Sequence, residues 1–378
     1  MPSVAPSPDI NALLPPELLF LIFKLLRHQD LKQAVAVCRR WRDVGEDASL
    51  WTWVSPRITV KNKEQAHDML TCGRMQSISN IRITALSNEV VEGVACHPLL
   101  NSASISCGQL SLPERRLLVK MISKLENIAL SLAKDEVNTL LSEILSTPNS
   151  ALKKLDLSNN DLSKVPLDLL GQAASTLEDL QLQGTNLATG QLRIILESVS
   201  RTSCKLKKLN LGENDISGVE ASCFENLDSL EDVELENTQL SKSQLVTILS
   251  CLSGSGRTMK LNLNQNCLST IEPALLTRIA ILEEARLADC QLSPRQLEVV
   301  FEVATKFRKL RRLDISGHCF KTIDISSLSL LQAAEQLEEL IAPRCQFSQE
   351  SLEGICSKII GGSRLKKLNL SNALWVYP

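Results

Sequence analysis

The sequence predicts an α/β chain in two parts. A small all-helical unit comes first, over residues 13–55, and a curved parallel sheet with helices on its outer side follows, over 56–378. Three observations predict this. A dense apolar stripe at helical spacing opens the chain. A pattern of leucines recurs behind it at intervals of 24 to 29 residues. The composition suits a small aliphatic core built many times over: hydrophobic residues make up 44% of the 378 and aromatics only 3%.

Residues 1–12 read as a disordered, Pro-rich tail, with Pro2, Pro6 and Pro8 and little to bury. From Leu13 the texture changes. Pro15 and Pro16 suit a helix start, where the proline's missing N–H is not needed. Leu18, Leu21, Ile22, Leu25 and Leu26 fall at i, i+3, i+4, i+7 and i+8, one apolar stripe. Leu19, Phe20 and Phe23 make the helix greasy nearly all round, more than so small a unit can hide. Asp30 reads as the N-cap of a second helix with Gln33 as its capping-box partner. That helix carries Leu31, Ala34, Val35, Val37, Cys38 and Trp41, and Leu50-Trp51 closes the segment. Trp41 and Trp51 fit either the unit's own core or its joint to the next domain.

The segment resembles an F-box. The carrying residues are Leu14-Pro15-Pro16-Glu17-Leu18, Ile22-Phe23, Asp30-Leu31, Val37-Cys38-Arg39-Arg40-Trp41 and Leu50-Trp51. The resemblance implies docking onto the adaptor Skp1, and through it onto a cullin-RING ubiquitin ligase. By that analogy the contact residues are Leu14, Pro15, Glu17, Leu18, Ile22, Phe23, Leu26 and Leu31. The apolar surplus agrees, because exposed greasy helices call for a partner groove.

The remainder is one array. The template L-x-x-L-x-L-x-x-N/C-x-L is complete at Leu152-Leu155-Leu157-Asn160-Leu162 and at Leu206-Leu209-Leu211-Asn214-Ile216. Further copies place Thr185, Thr238, Asn266, Cys290, His318 and Cys345 at the ladder position. Thirteen strands are expected from Ile58 to Leu370. Nine are clear, and four are inferred by spacing at Ile58/Val60, Ile81/Ile83, Ala103/Ile105 and Ile128/Leu130. The pattern resembles the leucine-rich repeat. Its alternation of short and long steps, a double unit of about 53 residues, is similar to the ribonuclease-inhibitor type, which implies a horseshoe with a helix outside each strand. Buried amides at the ladder positions can satisfy backbone groups of adjacent turns. Cys290, Cys345 and His318 are expected to serve that slot structurally.

Side chains alternate on strands. With Leu155 and Leu157 facing the core, one column on the open side reads Lys154, Asp179, Lys208, Asp232, Lys260, Glu284, Arg312, Glu339, Lys367, its sign flipping at every step. The column before it, from Lys153 to Lys366, does nearly the same. Strands about 5 Å apart would put like charges in repulsion, so the alternation reads as a self-neutralised ridge. The next columns are not explained by pairing. There Glu234, Glu236 and Arg286 break a neutral run, and Ile341 is apolar on a polar face. These four are the candidate substrate-binding residues.

The rest of the sequence excludes classes. Lys and Arg number 41 against 43 Asp and Glu, a net charge of −2, which argues against a nucleic-acid binder working by bulk charge. Twelve cysteines lack any CxxC, so neither zinc spacing nor a small disulfide framework is read. No signal-peptide h-region or run of about 18 apolar residues appears, so no membrane partner is expected and the setting is reduced, cytoplasmic or nuclear. Four histidines have no metal-ligand spacing, and no H-E-x-x-H, G-x-S-x-G or Walker A pattern occurs. No cofactor or metal is expected. The expected function is a non-catalytic substrate-recognition subunit. The alternative is a repeat scaffold or inhibitor that binds one protein without ubiquitination.

Overall fold

The computed structural model describes residues 14–52, 54–133, 137–146, 151–201, 204–252, 256–307, 309–320, 329–347, 353, 357 and 364–372. The tail over 1–12 and the aromatic end at Trp375 and Tyr377 lie outside them. The described residues form two compact units, one within 1–132 and 147–152, the other within 133–146 and 153–378. The fold is α/β, helical at the front with parallel strands behind.

In the first unit α1 (Pro16–Lys24), α2 (His28–Val37) and α3 (Arg39–Gly45) lead into a 3₁₀ turn, Ala48–Trp51. Leu19, Phe23, Leu31, Ala34, Val35, Leu50, Trp51 and Val54 form their core. Trp51 donates its indole N–H to Gly45 O at 2.7 Å, and Trp41 packs edge-on against Phe23, ring centres 5.5 Å apart. Trp51 thus belongs to this core, and Trp41 packs half-buried against it. Two expectations are corrected. Asp30 is not a cap: α2 starts two residues earlier, and Asp30 in its first turn accepts from Arg27 Nε at 2.9 Å. The second helix is also broken. Cys38 is extended (φ −155°, ψ 170°), and its carbonyl starts a new helix by accepting from Arg42 N, which re-aims Trp41.

Strands β1 (Arg57–Ile58), β2 (Asn80–Ile83), β3 (Ser102–Ser106) and β4 (Asn127–Ser131) come next, with α4 (Ala66–Thr71), α5 (Asn88–Cys96) and α6 (Leu112–Ile122) between them. They pair in parallel, β1 to β2, β2 to β3 and β3 to β4. All four spacing-inferred strands are present, but β1 is short. Asn62 Oδ1 accepts from Thr59 N at 2.6 Å and turns the chain, so Val60 is exposed rather than inward.

The second unit opens with α7 (Val137–Ser146). Nine strands succeed it: β5 (Lys154–Asp156), β6 (Asp179–Gln181), β7 (Lys208–Asn210), β8 (Asp232–Glu234), β9 (Lys260–Asn262), β10 (Glu284–Arg286), β11 (Arg312–Asp314), β12 (Glu339–Ile341) and β13 (Lys367–Asn369). Each pairs in parallel with the next in the expected register. Between them run α8 (Leu167–Thr176), α9 (Thr189–Val199), α10 (Lys242–Cys251), α11 (Pro294–Lys306) and α12 (Ser329–Gln336). A helix was expected outside every strand. After β7 and β9 the chain instead forms 3₁₀ turns, at Ala221–Phe224, Leu227–Ser229 and Pro273–Ile281. Those are the 24-residue steps, and a 3₁₀ helix rises about 2.0 Å per residue against 1.5 Å, so it crosses with fewer residues.

At Asn214 and Asn266 the ladder works as expected. Asn214 Nδ2 donates to Leu182 O (2.7 Å), Leu211 O (3.0 Å) and Gly212 O (3.1 Å), while its Oδ1 accepts from Thr185 N and Leu187 N. Asn266 repeats the pattern on Leu235 O, Thr238 N and Leu240 N. A second ladder was not foreseen. Gln191, Gln244 and Gln296, 53 and 52 residues apart, are buried in the first turns of α9, α10 and α11. Each accepts from the residue three before it and donates to two carbonyls of the preceding repeat, Gln244 to Ile216 O (2.9 Å) and Val219 O (2.6 Å).

The residue before each ladder position is left-handed, from Asn159 through Gln265 to Arg344. Gly317 (φ +75°) is the most constrained, because a Cβ there would sit 1.9 Å from Asp289 Oδ1. Asp289 is fixed in turn by Arg344 Nη2 at 2.7 Å. Gly317→Ala is expected to destabilise the second unit by about 2 kcal/mol, combining left-handed strain with displacement of that ion pair. A wild-type urea midpoint would contradict it.

Candidate functional sites

Two surfaces carry the sequence-predicted residues. The first lies on α1. Apolar side chains ring this helix, and packing on Trp41 and Trp51 decides which ones go inside. Leu19 and Phe23 turn in; Leu18 (47% exposed), Leu21 (54%), Ile22 (43%) and Leu25 (86%) turn out as one continuous stripe. Pro15 and Glu17 are exposed beside them, and Leu14 is half-buried, its carbonyl held by the Arg40 guanidinium. Leu26 is half-buried against the core.

Two of the predicted contact residues are not on this surface. Phe23 (1% exposed) and Leu31 (0%) are core residues, because Phe23 fills the space against Trp41 and Leu31 completes the same cluster. Leu21 and Leu25 take their place on the surface, and the i+3, i+7 spacing already marked them. A groove of about 480 Å³ runs beside the stripe, with Pro16, Phe20, Leu21 and Val44 as its apolar lining and Glu17, Asp43 and Asp47 as its carboxylates. Asp47 caps the following turn, and the hydroxyl and amide of Ser49 hold its carboxyl below the usual range.

The second surface is the open face of the second unit. Its outer columns are charge-paired as expected: Lys154 to Asp179 at 3.0 Å, Lys207 to Glu178 at 2.6 Å, Arg312 to Glu284 at 2.9 Å and Lys366 to Glu338 at 2.9 Å. Each exposed pair contributes no more than about 1 kcal/mol. Within this frame Glu234, Glu236 and Arg286 are brought together. Register places Glu234, Asn262 and Arg286 directly across from one another on β8, β9 and β10. Arg286 reaches across β9 to Glu234 Oε1 at 3.2 Å and back to Glu284 Oε1 at 2.6 Å. Asn262 lies beneath, donating to Glu234 at 2.5 Å and Glu236 at 3.1 Å. Glu234, Glu236, Asn262 and Arg286 line a polar groove of about 350 Å³. Ile341 is not part of it. Ile341 lines a neighbouring groove of about 380 Å³ with Arg286, Arg312, Asp314 and Lys367, so Arg286 borders both.

Burial pushes the carboxyls of Glu234 and Asp232 above the usual range, against the pull of Asn262 and Arg286 on the first and of Lys260 and Lys208 on the second. Burial works on Glu284 too, but the guanidiniums of Arg286 and Arg312 outweigh it and hold that carboxyl low. Asn262 and Glu284 were not singled out from sequence, although the column register places both beside Arg286. Among the described residues no group of three His, Cys, Asp or Glu could hold a metal, and no helix is long and apolar enough to cross a membrane. Hydrogen-bonding and ionic contacts are the chemistry that the arrangement offers.

Comparison with known proteins finds likenesses in both parts of the chain. A family model described as F-box-like matches residues 12–57, and one described as Leucine Rich Repeat matches 151–173 and 205–227. Similar proteins include the ribonuclease inhibitor of Mus musculus, 26% identical over 59% of this chain and 52% of the inhibitor. The ribonuclease inhibitor of Sus scrofa is 23% identical over 71% and 62%. NACHT, LRR and PYD domains-containing protein 14 of Mus musculus is 25% identical over 61% of this chain and 22% of that protein. The chain thus spans between a half and two thirds of the two inhibitors' length.

Proposed function

Since the chain joins an F-box-like segment to leucine-rich repeats, we propose that it is the substrate-recognition subunit of a Skp1-cullin-F-box ubiquitin ligase. In this reading residues 13–55 dock Skp1, and residues 56–378 hold a protein substrate on their open face. One observation carries it. The helical segment completes its own core around Phe23 and Trp51 and still turns Leu18, Leu21, Ile22 and Leu25 outward. Such a surplus at helical spacing fits a groove on a partner. The chain itself is a non-catalytic receptor, and the transfer chemistry belongs to the ligase it joins. The described cysteines are free thiols, which suits a reduced cytoplasmic or nuclear setting.

The likeness to ribonuclease inhibitors favours a second reading, a repeat scaffold that binds one protein stoichiometrically. Affinity capture of the tagged full chain, with proteasome and cullin activation blocked, separates the two. Skp1 and a cullin at near-stoichiometric yield are expected. A single protein captured without Skp1 would favour the scaffold and overturn the receptor.

A further inference from the structure

The ladder joints can be compared within one molecule. At two of them an Asn ties its own turn to the one before. Asn214 binds Leu182 O, Thr185 N and Leu187 N, and Asn266 binds Leu235 O, Thr238 N and Leu240 N. A primary amide can do this because its two donors and its acceptor sit at one end of a short side chain.

At the third joint His318 holds the slot. It is 4% exposed, and its Nδ1 lies 2.9 Å from Ile315 O, within its own turn. With a carbonyl as partner, Nδ1 carries the proton of the neutral ring and Nε2 is left a bare acceptor. Nε2 is buried with no partner. Leu287 O and the amides of Cys290 and Leu292 occupy the places of Leu182 O, Thr185 N and Leu187 N. Among the described residues none of the three meets a ladder side chain, and both residues carrying those amides are buried. Buried donors left unpaired are costly.

We propose that the joint between the turns of Cys290 and His318 is a built-in hinge of the second unit, the place where β10 and β11 separate first. It runs under the groove that holds Ile341, since Glu284 and Arg286 line that groove from β10 and Arg312 and Asp314 from β11. The other groove is lined from β5 to β10, does not cross to β11, and stands over the intact Asn joints. The hinge therefore makes one of the two grooves adjustable, and it does so whether or not the first unit docks Skp1.

Proton concentration tunes it. The groups around His318 are Asp314 on its own strand, Asp289 on the preceding turn, Arg344 on the following turn, and the thiols of Cys290 and Cys345. Burial pushes those thiols up to about 12 and about 11, so they stay neutral. Burial also holds the His318 imidazole below its ordinary 6.5, over the opposing pull of the Ile315 and Ser316 carbonyls and the two aspartates. The closed joint thus keeps the ring neutral while the opened one lets it protonate. Closure is fully favoured above about pH 6.5 and weakens as pH falls below it.

Amide hydrogen exchange on the full chain tests this at pH 7.5 and pH 5.5. The Cys290 and Leu292 amides are expected to show protection factors at least tenfold below those of Thr185, Leu187, Thr238 and Leu240, with a wider gap at pH 5.5. His318→Asn is expected to raise both amides about tenfold and to remove the pH dependence. Equal protection at all three joints in the wild-type chain would overturn the hinge, and this comparison holds even if the variant fails to fold. Unchanged Cys290 and Leu292 protection in a folded His318→Asn chain would overturn it as well.

Discussion

Leu18→Asp combined with Ile22→Asp is expected to lower Skp1 affinity at least a thousandfold while leaving the chain folded. Both side chains are nearly half exposed and lie outside the core cluster, so the free protein loses far less buried area than a core substitution would cost it. In a docked complex the same change removes two large apolar contacts, each roughly 1.5–3 kcal/mol, and strands two carboxylates in an apolar groove. Every 1.4 kcal/mol is about tenfold. Binding of purified Skp1 reads the loss, and an unchanged circular dichroism spectrum certifies the fold. Wild-type affinity in the double variant would refute the docking surface.

The second large effect is expected at Asn214. Asn214→Ala removes one side chain that serves three carbonyls and two amides, all five groups in buried residues. No water can replace the amide without opening the core. Each abandoned buried group costs on the order of 1–3 kcal/mol, and partial relaxation keeps the sum well below five such terms. About 3 kcal/mol is expected, read as a fall in the urea midpoint of the second unit and as faster exchange at Thr185 and Leu187. A loss under about 1 kcal/mol would mean that the ladder is not a main support of the array.

Much of this was legible in the residues. A strand shows its two faces at period two, so the core leucines and the charge columns fell into place once the repeat was aligned, and the observed register agrees residue by residue. Helix α1 was harder. Its apolar residues go nearly all round, and periodicity cannot tell Ile22 from Phe23 when both neighbours of a candidate stripe are greasy. Only the positions of Trp41 and Trp51 settle that, and they come from distant parts of the segment. The break at Cys38 has no strong sequence mark, because neither Pro nor Gly stands there. The Gln ladder was visible as a spacing but resembles an ordinary helix start. Its burial follows from the preceding repeat, which supplies two carbonyls no local pattern announces.

The sign reversal from strand to strand has a bearing on how such an array can change in length. Excising a single repeat, that of Lys208 for example, would seat Asp179 against Asp232. Excising two would seat Asp179 against Lys260 and restore attraction. The glutamines obey the same parity, since each reaches back across one particular kind of neighbour. Copies can therefore be gained or shed without penalty only as couples, and the heritable brick of this wall is the pair.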